Sequence, residues 1–136
     1  MILVDSSVWI NYFNGISTWQ TDLLDHYLSN TPVIIGDLIL TEVLRGFRSN
    51  TDFEKARNFL SALLFRQIGG YNVAIQSARN YRSLRKAGVT VRKTIDIIIA
   101  TFCIIEGLTL LHDDRDFDPM VTHFSLKTPT PKFLPI

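Results

Sequence analysis

Four acids stand where an apolar core has no use for them. Asp5 interrupts the run "MILVDSSVWI". Glu42 sits in "DLILTEVLRGF", off the stripe of Ile39, Leu40, Val43, Leu44 and Phe47. Asp96 opens "TIDIIIATFCIIEG", and Asp114 lies in "LLHDDRDFD", just past the apolar run Leu108–Leu111. Asp113, Asp116 and Asp118 crowd that last segment further. Carboxylates brought within ~4–6 Å raise each other's pKa and resist ionisation, and a divalent cation removes the conflict. An oxygen-only donor set suits Mg²⁺, with Mn²⁺ as a substitute, rather than zinc. The matching chemistry is metal-assisted hydrolysis of a phosphate ester. Each acid also has an ordinary structural use. Asp5 can cap the following helix, Glu42 can pair with Arg45 at i,i+3, and Asp96 can complement a helix dipole. Asp113 and Asp118 read as solvated loop charges.

The pattern of elements decides whether these acids can meet. "MILV" and "PVIIG" are short continuous apolar runs, and Leu108–Leu111 is a third. Helical periodicity runs through "SSVWINYFNG" with Ser6 or Ser7 as cap, then through 18–29, 37–47 with Asp37 as cap, 52–65 and 72–87. "TIDIIIATFCIIEG" reads as a buried helix capped by Thr94 and closed by Gly107, and 123–126 reads as a last strand. Apolar strands separated by helices predict an α/β fold: a three-layer α/β/α domain with a parallel central sheet, in one unit spanning 1–136. In such sheets the functional edge lies beyond the carboxyl ends of the strands, where strand order reverses. Asp5 and Asp114 both follow strands and should open onto that edge.

Composition narrows the class. The chain has 136 residues, is 46% hydrophobic, and balances 14 basic against 13 acidic residues. A polyanion would therefore have to be met by a local patch. The one cysteine, Cys103, excludes an internal disulfide and a zinc cluster, and it fits a reducing cytoplasm. The longest apolar run, "IIIATFCII", is too short to span a bilayer. No signal peptide is evident in "MILVDSSVWI", and no membrane association is expected. The tail 127–136, "KTPTPKFLPI", is proline-rich and should be extended. "DRDFD" fails as a calcium loop, because its sixth position is Pro119 and its twelfth Ser125. The start "MILVDSSVW" fails as a haloacid-dehalogenase motif, because Ser7 stands where the second acid belongs.

In order and spacing, "ILVDSSVWI", "LILTEVLRGF" and "VRKTIDIIIATFCIIEGLTLLHDDRDFD" resemble a PIN domain of the VapC toxin ribonuclease type. The resemblance implies an acidic quartet of Asp5, Glu42, Asp96 and Asp114 holding Mg²⁺, with Asp116 as a fifth acid. Asp5 and Asp96 are then the direct ligands; Glu42, Asp114 and Asp116 act directly or through water. Ser6 and Thr94 match supporting hydroxyl positions. The implied reaction is endonucleolytic cleavage of RNA. The implied partners are a VapB-type antitoxin and a second copy of the chain. Trp9, Tyr12, Phe13, Phe47 and Phe59 are candidates to line a groove for an antitoxin helix, whose arginine could enter the carboxylate pocket. Arg92 and Lys93, just ahead of the Asp96 helix, are candidates for RNA phosphates, expected to lie clear of the metal ligands. Arg79, Arg82 and Lys86 share one helical face and are either a second basic patch or a solvated surface. Two rivals remain: another metal-dependent nuclease or phosphatase of related fold, and a non-catalytic RNA- or protein-binding module whose acids merely hold a cation.

Overall fold

The computed structural model describes residues 1–131. Four parallel strands form one sheet in the order β3-β2-β1-β4, with β1 Ile2–Val4, β2 Val33–Gly36, β3 Leu64–Arg66 and β4 Thr109–Leu111. Seven α-helices are present among the described residues. They are α1 Ser6–Phe13, α2 Trp19–Asn30, α3 Asp37–Leu44, α4 Asn50–Ser61, α5 Tyr71–Lys86, α6 Thr94–Glu106 and α7 Asp118–Phe124. Every residue of β1 and β2 is buried, which requires cover on both faces of the sheet. The α/β/α layering follows. α1 packs on α2 and α3, and α5 packs along α6. Trp9, Phe102 and Phe117 are the bulkiest fully buried side chains.

The helix α6 carries the core. Ile97, Ile99, Ala100, Phe102 and Cys103 are all buried. Thr101, the polar residue in this run, is buried because Asn80 Nδ2 of α5 donates to its hydroxyl at 3.1 Å. Gly107 closes the helix in the left-handed region at φ 66°, where a side chain would be strained. Gly36, at the end of β2, is required for a different reason: a Cβ there would collide with the Ile68 side chain, which is fully buried.

Several element boundaries differ from the sequence reading. The cap of α1 is Asp5, the structural use open to it in the sequence, whose carboxylate accepts from Ser7 N; neither Ser6 nor Ser7 takes that place. Gly36 precedes α3, and Asp37 instead accepts from Leu38 N and Ile68 N, tying the β3 loop to the sheet. Lys93, rather than Thr94, stands at the cap of α6. The helix read over 52–65 stops at Ser61, and the chain turns into β3, an edge strand with exposed Leu64 and Phe65. The strand expected at 123–126 is the end of α7, which starts with Asp118 and Pro119, a favoured helix opening. Just past those residues, Lys127 makes one parallel bridge with Thr109 beside β4. The tail beyond 131 lies outside the described residues.

Candidate active site

Parallel strands point their carboxyl ends to one edge, and the chain delivers acids there from four elements. Asp5 follows β1 and continues its ladder, donating its N–H to Leu111 O at 2.9 Å. Asp114 follows β4, and Glu42 lies in the helix that leaves β2. Asp96 lies in the first turn of α6, the helix that returns to feed β4, so its N-terminus sits at the same edge. Strand order reverses between β1 and β4, because β2 and β3 lie to one side of β1 and β4 to the other. Asp5 and Asp114 flank that crevice.

Two adjacent hydroxyls hold two of the acids. Ser6 Oγ donates to Glu42 Oε1 at 3.2 Å. Ser7 Oγ donates to Asp5 Oδ2 at 2.6 Å and itself accepts from Asp113 N at 3.0 Å, so it bridges β1 to the loop after β4. The role of Ser7 beside Asp5 was missed from sequence, where it stood only as a possible cap. His112 was missed as well: its Nδ1 accepts from Asp114 N at 3.2 Å, and its ring packs 5.0 Å from that of Phe117. Thr94 is exposed on the helix face of Ile97 and Ile98 and makes no side-chain hydrogen bond to these acids among the described residues.

One carboxylate oxygen from each of Asp96, Asp114 and Asp116 lies within 4.8 Å of the others, a separation a metal ion can bridge. Asp116, expected as an auxiliary acid, is thus one of the three that converge, while Asp5 and Glu42 stand outside this inner group. Asp114 Oδ1 accepts from Asp116 N at 2.9 Å, which fixes the turn that aligns them. Asp96 is 3% exposed, and its Oδ2 accepts no hydrogen bond. Lys93 Nζ is near it at 3.4 Å as an ion pair, and also lies 3.0 Å from Asp114 Oδ2 and 3.9 Å from Asp116 Oδ2. Arg92 pairs with Asp116 at 3.2 Å. Both cations therefore sit against the acids, not clear of them. A cleft of about 560 Å³ opens over Arg92, Lys93, Asp114 and Asp116.

The field inside this edge couples the acids. Burial pushes Asp5 up, against the opposing Ser7 bonds and His112. Burial, then the charge of Asp5, raises Glu42. Asp96 is lifted to about 6, mainly by burial, with Asp5 and Asp114 adding to it and Lys93 opposing. Asp114 goes the other way: burial acts to raise it, but the Asp116 N–H and Lys93 hold it below the usual range. Three buried or half-buried acids with raised proton affinity are costly for a fold to keep unless a cation compensates them. An oxygen-only group with a buried carboxylate oxygen that is ion-paired to Lys93 but accepts no hydrogen bond fits a hard divalent ion.

The family model for the PIN domain matches residues 2–120. The chain belongs to the PIN domain family. It is 32% identical over 123 residues to the VapC ribonuclease Mb1587 of Mycobacterium bovis, across 87% of this chain and 90% of that one. Ribonuclease VapC11 of Mycobacterium tuberculosis matches to the same extent, which places the chain in the VapC branch of the PIN family. Two solved structures share its fold: VapBC2 from Rickettsia felis bound to a promoter DNA fragment, at TM-score 0.76 and 18% identity over 95% of this chain and 98% of that one; and DNA-bound VapBC from Salmonella typhimurium, at TM-score 0.74 and 18% identity over the same shares. The PIN fold, expected from the sequence, is what the structure shows.

Proposed function

We propose that this PIN domain is a Mg²⁺-dependent endoribonuclease and the toxic partner in a type II toxin–antitoxin pair. The observation that carries the reading is the convergence of Asp96, Asp114 and Asp116, whose carboxylate oxygens share the ammonium of Lys93, in a chain 32% identical to named VapC ribonucleases. Asp96, Asp114 and Asp116 would hold the ion, with Asp5 as a further ligand across the crevice. When bound, a divalent ion shields the anionic phosphate and makes water a competent nucleophile near neutral pH. The protein's own groups do the rest. Ser7 and Ser6 fix Asp5 and Glu42 against drift. The raised proton affinity of Glu42 supports it as the acceptor of a proton from the attacking water. Arg92, 72% exposed, would hold a phosphate flanking the cut.

A VapB-type antitoxin is the proposed protein partner. Trp9, Tyr12, Phe13, Phe47 and Phe59 form one aromatic cluster, with neighbouring ring centroids 5.7–6.1 Å apart. Phe59 leaves 41% of itself exposed, which supports an apolar helix docking there. Exposed Tyr71, Ile75 and Ile105 along the α5–α6 groove support a homodimer, to be tested by light scattering. No helix among the described residues is long and apolar enough to cross a membrane. The free, buried thiol of Cys103 supports a cytoplasmic setting.

The deciding experiment offers purified protein RNA, single-stranded DNA and a small phosphoester, with Mg²⁺ and with EDTA. Metal-dependent cuts in RNA, lost in Asp96→Asn, are the expected result. Turnover of the phosphoester or DNA alone would assign a different hydrolase. Absence of any metal-dependent cut would leave a cation-holding binding module.

A further inference from the structure

Lys93 shares the carboxylate oxygens that would take a metal. Its ammonium lies within 4 Å of Asp114, Asp96 and Asp116 at once, at 3.0, 3.4 and 3.9 Å. Those three acids are the group whose oxygens converge to within 4.8 Å. A divalent ion bound by oxygens at ~2.0–2.1 Å would stand within a few ångströms of Nζ. Two cations that close repel strongly in a partly buried site. The ammonium and the metal therefore exclude each other.

The attachment of Lys93 allows it to move. It stands at the extended residue just before α6, at φ −127° and ψ 118°, and its side chain makes no capping bond. The side chain is 48% exposed, so its flexible stem can swing into the cleft without opening the core. Without a cation, three acids this close would repel and splay. With Lys93 among them, that repulsion is offset until a metal takes its place. When the ammonium leaves, a phosphate of a polyanion entering the same cleft would be within its reach.

We propose that Lys93 is a tethered cation that occupies the carboxylate cluster until a metal arrives, yields its place to the metal, and then takes a phosphate of the bound RNA. The inference rests on the metal-nuclease reading and adds a coupling to it. Metal binding frees a cation for the polyanion, and the polyanion draws that cation out of the metal's way. By linkage each ligand must then tighten the other by the same factor.

Titration of Mn²⁺ alone, followed by its paramagnetic resonance signal, tests this on the full chain without RNA. Lys93→Met should bind Mn²⁺ roughly five- to tenfold more tightly than wild type, at the low end of usual couplings. Lys93→Gln gives a second neutral side chain, and Lys93→Arg, which keeps the charge, should stay close to wild type. A cleavage-resistant RNA oligonucleotide should tighten Mn²⁺ binding several-fold in wild type and much less in Lys93→Met. Equal or weaker Mn²⁺ binding by both neutral variants overturns the role of Lys93 while leaving the metal site intact. Failure of every protein, wild type included, to bind Mn²⁺ removes the metal site itself.

Discussion

Replacing Asp96 by Asn should make the metal-free protein more stable at neutral pH while abolishing cleavage. Burial lifts the Asp96 carboxyl from its ordinary 3.8 to about 6. The native state therefore holds this proton more tightly than the unfolded chain does. That contribution to stability is fully present below pH 3.8 and is lost as pH rises through 6. At about 1.4 kcal/mol for each tenfold change in proton affinity, the loss by pH 7 is on the order of 3 kcal/mol. Asn mimics the protonated carboxyl in size and charge, so it escapes the loss. For a chain of this length, ~3 kcal/mol corresponds to a Tm higher by roughly 10 °C. Thermal melts of both proteins in EDTA from pH 4 to pH 8 provide the assay. The gap should be small at pH 4, open between pH 4 and pH 6, and level off above pH 6. With ~100 Kd of Mg²⁺ the order should narrow or invert, because binding adds roughly 2.7 kcal/mol to the protein that keeps the ligand. A variant that is less stable at pH 7, or a gap that ignores pH, would refute the claim that burial of an ionised Asp96 dominates.

Asp5→Ala should reduce the rise in Tm that Mg²⁺ gives the wild type, and equal shifts would place the ion away from β1. Ser7→Ala removes the 2.6 Å bond to Asp5 and the acceptor for Asp113 N; loss of such an orienting group should weaken Mg²⁺ binding by about tenfold or more, measured by calorimetry. Arg92→Ala should flatten the slope of log K against log[salt] for single-stranded RNA by roughly 0.7 units, and an unchanged slope would leave Arg92 without a phosphate. Gly36→Ala forces a methyl into the buried Ile68 and should cost about 1–3 kcal/mol in a denaturant melt, with the metal-site residues untouched.

The parts legible in the sequence are those where one local signal was strong. β1, β2, β4 and α6 are continuous apolar runs, and the acids stood out because each breaks or ends one. β3 was not legible: Leu64, Phe65 and Arg66 lie on an exposed edge and follow the apolar period of α4 without a break. The strand read over 123–126 overlaps the end of α7, where the Asp118-Pro119 opening and burial of Met120 carry the helix to Phe124. Within the site, the elements that bring the acids to one edge could be inferred from parallel topology. The inner grouping could not, because it depends on which long side chains reach across a turn. Asp116 joins the group through the bend after Asp114, and Lys93 enters it because four flexible carbons bring its ammonium across to the loop after β4.

The strand order also sets when this site can exist. Leu3 pairs with Ile34 on one side and with Leu110 on the other. A growing chain emerges from its N-terminus, so the first pairing is available early and the second only after β4 has been made. Until then β1, the fully apolar middle of the finished sheet, has an open edge that invites pairing with other chains. Asp5 is meanwhile displayed without Asp96, Asp114 or Asp116 opposite it. A ribosome stopped before β4 is made carries an adhesive half-sheet with no carboxylate cluster, and the acids become a site only as β4 closes against β1.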